Sequence, residues 1–374
     1  MTKEGKSKLK PKKAGAKKAA IQPLRVVYLV GAGATQSEVS FRGAKPVNVL
    51  MRDSGSLEGV ATRILNRAGT DWKLATGEQS DIEKLISLLV GCGIDSFARK
   101  AEEMRQSYFD EIRFSLTEAK VIDDPKLATG LLELHCDEKL KKSVETLTGI
   151  LTTNHDGLFQ IASHKVYGKV NLGIPFKSSE FTCVVEDAVP PIIQLHGSFT
   201  WKFSVPIDVA SLRKESIYSA DTTWIPPAIL KESKTYPFNK LSGIAYELLS
   251  KRCDVLRVIG ASLTQNDWNV LALIFNAQRH RLSTGNDVFR IELIMSHKGG
   301  LEIKSNCSYL KEMFPIGALK EGNFEDFKLT PPPATPELSN KFAYWLKEKA
   351  RYHRNQNQIG TLGRYMSQIL GDTK

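Results

Sequence analysis

The chain of 374 residues lacks long apolar runs: none approaches the roughly 18 to 20 residues that cross a membrane. Its lysine-rich start is not followed by the apolar segment of a secretory signal, so we expect a cytoplasmic protein that does not associate with membranes. Cysteine is also scarce, and no two cysteines form a CxxC pair, which argues against a disulfide framework and a zinc ribbon. We expect reduced thiols, mostly in the core. The five cysteines are Cys92, Cys136, Cys183, Cys253 and Cys307.

Other absences narrow the chemistry. No pair among the seven histidines has the spacing of metal ligands, so no metal cofactor is predicted. No Walker motif is present, so the chain does not itself supply an ATPase of that kind. With 41% apolar and 25% charged residues, the composition is that of an ordinary globular protein of one or two domains.

The positive charge is concentrated in one segment. Residues 1–20 hold eight lysines and one glutamate, a net charge of +7 out of +11, so the rest of the chain carries only +4. Glycine, alanine, serine and lysine dominate this segment, which therefore cannot bury a core, and we expect a disordered tail. Such a tail is either a solvated, partner-facing segment or an arm that binds nucleic-acid phosphates without sequence preference.

The rest of the chain predicts an α/β fold with a Rossmann-like parallel sheet. Apolar runs at 24–30, 149–153, 192–195, 255–259 and 289–295 predict strands, and helical or loop segments separate them. A helix is predicted to begin near Asp81. From there to Thr148 the apolar spacing stays helical, including 128–134 and 140–147, which indicates a helical module inserted at about 80–148.

Two further segments stand apart from this pattern. Residues 200–242 are loop-rich, with Trp201 and Trp224 as expected anchors, and we expect this segment to cover a ligand. After three prolines at 331–333, apolar residues again recur on one face of a helix that is predicted to begin near Glu337. The predicted organisation is thus a tail at 1–20, a ligand-binding domain at 21–330 and a C-terminal helical extension at 331–374.

Four short segments carry the functional signal: GAGAT at 31–35, TTNHD at 152–156, LHGS at 195–198 and GASL at 260–263. Each follows an apolar run, where an open α/β sheet places its ligands. The small residues of the first segment let backbone N–H groups approach a pyrophosphate at the start of a helix. Taken alone, GAGAT is equally typical of a tight turn and lacks the third glycine of the dinucleotide fingerprint. The set of four favours a nucleotide site.

Polar residues within these segments are candidate site residues. Asn154 and Asp156 follow a strand directly, which places them in the crevice at the sheet edge, although the same residue types also make ordinary turns. His196 is predicted to emerge at a strand end beside Gly197, which leaves room for a ligand, and the alternative is a structural histidine. Asp267 either contacts a nucleotide or serves as a helix N-cap.

In this order, GAGAT, TTNHD, LHGS and GASL resemble the sirtuin superfamily, and specifically the divergent bacterial sirtuin-like domains of antiphage defence proteins. The resemblance covers about residues 24–330 and implies a Rossmann-like domain that binds NAD as its substrate and hydrolyses it to nicotinamide and ADP-ribose. It also implies roles for individual positions. On this resemblance, the pyrophosphate is contacted by Gly31, Ala32 and Gly33, the nicotinamide ribose by Asn154 and Asp156, and the adenosine side by Ser262, while His196 holds the catalytic base position. Thr35, Gly260 and Asp267 are further candidates for binding the cofactor.

The chain departs from the protein-deacylating members of the superfamily. It lacks paired zinc-binding cysteines after the LHG segment, and QSEVSFR at 36–42 replaces the GIPDFR-like segment. Peptide deacylation is therefore not expected. The chemistry of NAD cleavage fits the residues present, because nicotinamide leaves without a general acid, and a neutral His196 can accept a proton from water or a ribose hydroxyl.

The resemblance also implies regulation, since an unregulated NADase would harm its own cell. Control by homo-oligomerisation, by a helicase-like ATPase or by an Argonaute-type partner is expected on that basis. Two other functions are open at this point: a non-hydrolytic sensor of NAD or ADP-ribose, and a nucleic-acid-binding scaffold that uses the lysine-rich tail. Cyclisation or transfer of ADP-ribose is also an alternative to hydrolysis.

Overall fold

The fold was analysed in a computed structural model. It describes residues 23–41, 82–133, 135–136, 145–210, 222–226, 231, 233–261, 263, 265–287, 289–294 and 324–326. The predicted tail at 1–20, the predicted extension at 331–374, Cys307 and Ser262 lie outside these residues. None of the helices among the described residues is long and apolar enough to span a membrane.

Ten strands and seven α-helices make up the described part of the chain. The strands are β1 (Leu24–Val30), β2 (Glu145–Thr152), β3 (Phe176–Ser178), β4 (Ile192–Gln194), β5 (Gly197–Lys202), β6 (Ile207–Val209), β7 (Thr222–Trp224), β8 (Val255–Ile259), β9 (Arg290–Ile294) and β10 (Phe324–Asp326). The helices are α1 (Ala32–Phe41), α2 (Ile82–Gly91), α3 (Asp95–Glu118), α4 (Lys126–Glu133), α5 (Leu158–Tyr167), α6 (Phe238–Lys251) and α7 (Trp268–Ser283).

The main sheet is parallel and has the order β10-β9-β8-β1-β2-β4. Its central strand β1 is a continuous apolar run that is buried from Val26 to Val30, as expected for a parallel strand covered on both faces. The chain proceeds from β1 outward to β2 and β4, then returns to β8 on the other side of β1. This reversal makes the carboxyl ends of β1 and β8 the topological switch point, and the predicted α/β Rossmann-like fold is confirmed.

Helices cover both faces of this sheet. Gly149 and Ile150 are neighbours on β2, so their side-chain positions point to opposite faces. A Cβ on Gly149 would lie 2.8 Å from Leu248 of α6. Ile150 lies in register with Tyr28, whose hydroxyl is 2.6 Å from the ring of His135, just past α4. The sheet therefore lies between α6 on one side and the inserted helical module on the other.

The helical module is confirmed from α2 to α4, but its predicted C-terminal boundary is wrong. Strand β2 begins at Glu145, so the last part of the helical segment predicted at 140–147 belongs to the sheet. The buried side chain of Arg257 on β8 forms an ion pair with Glu145 at 2.6 Å, and this contact favours the extended conformation there. The module is joined to the core by Glu38 of α1, whose carboxylate accepts backbone N–H groups at the start of α4.

The segment predicted as loop-rich at 200–242 is also corrected. It contains the end of β5, the strands β6 and β7 and the start of α6, and a second sheet forms with the order β3-β6-β5-β7. Three of these strands have only three residues, too few to show an alternating pattern. Trp201 and Trp224 are buried, as predicted for anchors.

The expectation that the cysteines lie mostly in the core is wrong. Among the four described cysteines, all of them free thiols, only Cys253 is buried, while Cys92 and Cys183 are exposed. Cys253 lies two residues before the start of β8, whereas Cys92 lies just past the end of α2 at the surface.

Candidate functional site

The four predicted segments lie side by side at one edge of the main sheet. They follow β1, β2, β4 and β8, and parallel strands bring their carboxyl ends to the same edge. Backbone hydrogen bonds join these segments to one another or to the end of the neighbouring strand: Gly31 N–H to Ile259 (3.0 Å), Thr153 N–H to Val30 (3.2 Å) and Leu195 N–H to Thr152 (2.9 Å). The candidate site is therefore one continuous backbone surface at the switch point.

The glycines of the first and fourth segments pack against each other. The N–H of Gly33 donates to the carbonyl of Gly260 at 2.8 Å, and a Cβ on Gly33 would lie 2.9 Å from the Gly260 Cα. A Cβ on Gly31 would lie 2.5 Å from the Ala261 Cα. The N–H groups of Gly31 and Gly33 thus hold the turn together. The first turn of α1, which contains Ala32, presents the positive end of the helix at this edge.

Asn154, Thr35 and Asp156 form a buried hydrogen-bond network. The Asn154 amide donates to the carbonyl of Gly31 at 3.0 Å and to the hydroxyl of Thr35 at 2.9 Å. The Thr35 hydroxyl in turn donates to an Asp156 carboxylate oxygen at 2.6 Å, and the other oxygen accepts the N–H of Leu158 at 3.1 Å. Burial raises the pKa of Asp156, while the hydrogen bonds from Thr35 and Leu158 oppose that shift.

His196 is buried at the same edge and is held as a neutral ring. Its Nε2 lies 3.2 Å from the Nδ2 of Asn269, and both Asn269 and the backbone of Thr153 act to raise the pKa of the ring. Burial, followed by the positive charge of Lys231, lowers the pKa of His196 to about 4, although Asp267 opposes the shift. At neutral pH the ring can therefore accept a proton rather than donate one.

The sequence predicted that Gly197 leaves room for a ligand beside His196, and this prediction is wrong. Gly197 has a φ of +74°, and a Cβ at this position would lie 2.4 Å from the carbonyl oxygen of Thr223. The backbone of β7 fills the room that was expected for a ligand, because β5 and β7 pair at Gly197 and Trp224. Gly197 therefore permits a strand contact, and a ligand must approach His196 from another side.

A second histidine, His155, lies beside His196 and was given little weight by sequence reasoning. The two ring centroids are 6.1 Å apart. The Nε2–H of His155 donates to the carbonyl of Ile225 at 2.9 Å, and aromatic rings of Trp224 and Phe199 contact the imidazole. Burial and the neighbouring His196 lower the pKa of His155 to about 3. Its ring is a structural, neutral part of the site wall.

A buried ion cluster adjoins His196 and was missed from the sequence. Lys231 lies 2.9 Å from Asp267 and 3.2 Å from Glu83 of α2, and its side chain is only 6% exposed. Asn266 also donates a hydrogen bond to Glu83. Asp267 occupies the N-cap position of α7, as one of the two interpretations predicted, but it makes no side-chain capping hydrogen bond and pairs with Lys231 instead. Isolated charges separated by 36 residues or more carry no local pattern that would have indicated this cluster.

The described residues thus combine a neutral imidazole, a buried carboxylate and a helix N-terminus at one sheet edge. Within that part of the chain, no group of three or more histidine, cysteine, aspartate or glutamate side chains is placed to hold a metal ion. Asn269, the amide beside His196, was also missed, since a single asparagine in a helix carries no signal in the sequence. No protein-family model matches the chain, and no curated protein matches it either.

Proposed function

We propose that the chain is a sirtuin-like NAD glycohydrolase that cleaves NAD to nicotinamide and ADP-ribose. One observation carries the proposal: a neutral His196 lies at the same sheet edge as the hydrogen-bonded Asn154 and Asp156. The position of this edge at the switch point, where open α/β sheets bind nucleotides, supports it, as does the resemblance of the four segments to sirtuin-like domains.

The proposed reaction needs a base and an electrostatic stabiliser, but no acid. The bond from ribose C1′ to the nicotinamide nitrogen breaks, and its electron pair returns to the ring, so nicotinamide leaves neutral. Water attacks C1′ and its proton passes to His196, a role that typically contributes about 10²- to 10⁴-fold in rate. The carboxylate of Asp156 stabilises the positive charge that develops on the ribose.

The same edge offers a place for the diphosphate. The N-terminus of α1, at Ala32 and Thr35, attracts anions through its dipole and its N–H groups. Since the N–H groups of Gly31 and Gly33 already bond to β8 and the residue after it, these glycines contribute close backbone approach rather than donors. Gly260, Ser262 and Asp267 are proposed to line the adenosine side.

This chemistry calls for regulation, since unregulated hydrolysis would deplete the NAD of the cell that makes the enzyme. We therefore propose an effector of antiphage defence whose activity depends on homo-oligomerisation or on a helicase-like ATPase or Argonaute-type partner. The inserted module has a direct link to the site through the contact between Glu83 and Lys231, which makes it a route for such control.

A second candidate function is a non-hydrolytic NAD or ADP-ribose sensor. The Asn154 amide favours it, because both of its donated hydrogen bonds are internal, to Gly31 and Thr35, which is a structural role. In a sensor, the network would shape a binding site without positioning water.

The deciding experiment measures nicotinamide release from NAD by the purified chain, alone and with candidate partners. We compare Asn154→Ala, the near-isosteric Asn154→Asp and His196→Ala with Asn276→Ala, a control on the exposed face of α7. Loss of release by about 100-fold or more in the site variants, with the control unchanged, supports the glycohydrolase. Tight NAD binding without release under any condition supports the sensor instead.

A further inference from the structure

Asn269 lies in the first turn of α7 and reaches the ring of His196. Its Nδ2 is 3.2 Å from the His196 Nε2, at the long end of hydrogen-bond distances. The two residues are 73 positions apart in the chain, and Asn269 belongs to none of the four segments at the sheet edge. This side chain is the amide partner of the proposed base.

The hydrogen bonds determine which nitrogen of His196 carries its proton. The backbone of Thr153 acts to raise the pKa of His196, as a carbonyl does when it accepts a ring N–H. The single proton of the neutral ring therefore faces Thr153, and Nε2 is left with a lone pair. An amide N–H of Asn269 donates to that lone pair, so Nε2 is unprotonated, and a water that displaces this N–H can give it a proton.

The other end of the same amide has no partner. Within the described part of the chain, the Oδ1 of Asn269 is buried and accepts no hydrogen bond. A buried polar atom left in this way is unfavourable and calls for an explanation. A half-turn of the amide about its last side-chain torsion exchanges Nδ2 and Oδ1, and it would bring this free acceptor to the His196 ring.

We propose that Asn269 is the positioning residue of His196 and that it serves both protonation states of the ring. In the resting site, its N–H donates to the lone pair of Nε2. Once a water has displaced this N–H and given its proton to Nε2, the amide turns and Oδ1 accepts the new Nε2–H. A buried ring can thus gain a proton without leaving a hydrogen bond unmade. This role deepens the proposed function and rests on it.

The environment of the ring makes the protonated form of His196 unfavourable, which is why a hydrogen-bond acceptor for the new N–H matters. Lys231 disfavours the imidazolium, Asp267 favours it, and the ring of His155 lies 6.1 Å away and is itself neutral. Burial adds the largest opposition to a charge on His196. The Oδ1 of Asn269 becomes available as a hydrogen-bond acceptor only after protonation, and it then lowers the cost of the positive charge on the buried ring.

Two substitutions separate this role from simple packing. Asn269→Leu keeps the volume and removes both hydrogen bonds, so we expect the pKa of His196 to fall further and kcat to fall about 10- to 100-fold with KM little changed. Asn269→Asp offers a permanent acceptor, so we expect the pKa of His196 to rise and the acidic limb of the kcat profile to move to higher pH. Asn276→Leu, on the same helix, is the control.

The readout that does not depend on activity is the ¹⁵N chemical shift of the two His196 ring nitrogens, followed with pH in the full-length chain. We expect an unprotonated Nε2 in the wild type, and opposite shifts of the His196 pKa in the two Asn269 variants. Unchanged nitrogen shifts in both variants, with circular dichroism showing intact folds, would overturn the proposal. Shifts as expected in a chain that releases no nicotinamide would instead overturn the proposed function and leave the Asn269 contact standing.

Discussion

His155 and His196 make the folded chain sensitive to acid, because both rings are buried in the neutral form. The ordinary pKa of 6.5 falls to about 3 for His155 and to about 4 for His196 in the folded state. Between these values and 6.5, the unfolded chain binds more protons than the folded chain. The free energy of unfolding is therefore highest above this range and falls as the pH falls through it.

The size of the effect follows from the two shifts. Each histidine that is protonated only in the unfolded state costs about 1.4 kcal/mol per pH unit, so the pair costs about 2.7 kcal/mol per unit below about pH 6. Asp156 acts in the opposite direction, because its raised pKa lets the folded state bind a proton more readily as the pH falls. Against a total stability of about 5 to 15 kcal/mol, the loss is large.

Urea-induced unfolding, followed by tryptophan fluorescence at about pH 8, 7, 6 and 5, measures this slope. In His155→Leu, where one of the two rings is gone, we expect the slope below about pH 6 to fall by about 1.4 kcal/mol per unit, whatever the absolute stability of the variant. Asn276→Leu, at an exposed position of α7 that does not titrate, is the control and should keep the full slope. An unchanged slope in His155→Leu would refute the reasoning.

Three further substitutions test how the sheet edge is built. Gly260→Ala introduces a Cβ that would lie 2.4 Å from the backbone nitrogen of Ala34, at a φ of +60°, so we expect a loss of at least about 2 kcal/mol in urea unfolding. Glu38→Gln weakens the acceptors of three N–H groups at the start of α4 and should cost about 1 to 3 kcal/mol, seen as faster amide exchange in that helix. Thr35→Val removes the hydroxyl between Asn154 and Asp156, so we expect both a loss of about 1 to 3 kcal/mol and slower nicotinamide release; full activity would contradict the role of the network.

The main sheet was predictable because its strands are buried on both faces. Such strands are continuous apolar runs, and the predicted bounds of β1 and β8 agree with the structure. Prediction failed where the local signal was short or mixed. Strands β6 and β7 have three residues each, and β2 begins with polar and β-branched residues that also fitted a helical spacing.

The site was predictable only in part, for a similar reason. The four segments were found because each follows an apolar run and contains small or polar residues in a recognisable order. Lys231 and Asn269 were missed because each is a single polar residue in a segment with no pattern of its own. Gly197 was predicted to leave room for a ligand, whereas the structure shows that a glycine is needed there because the backbone of β7 approaches closely. That approach is a long-range contact, which the local sequence does not indicate.

The sequence by itself determined the fold class and the strand ends at which polar residues collect, because burial patterns and turn-forming residues act over a few neighbouring positions. Only the tertiary structure decided the chemical state of those residues. The neutral ring of His196 depends on burial and on Lys231, Asn269 acts in the opposite direction, and the Thr35 hydroxyl meets Asp156 across 121 positions of the chain. Protonation and hydrogen bonding respond to whatever lies within a few ångströms in space, and folding brings those groups from distant segments.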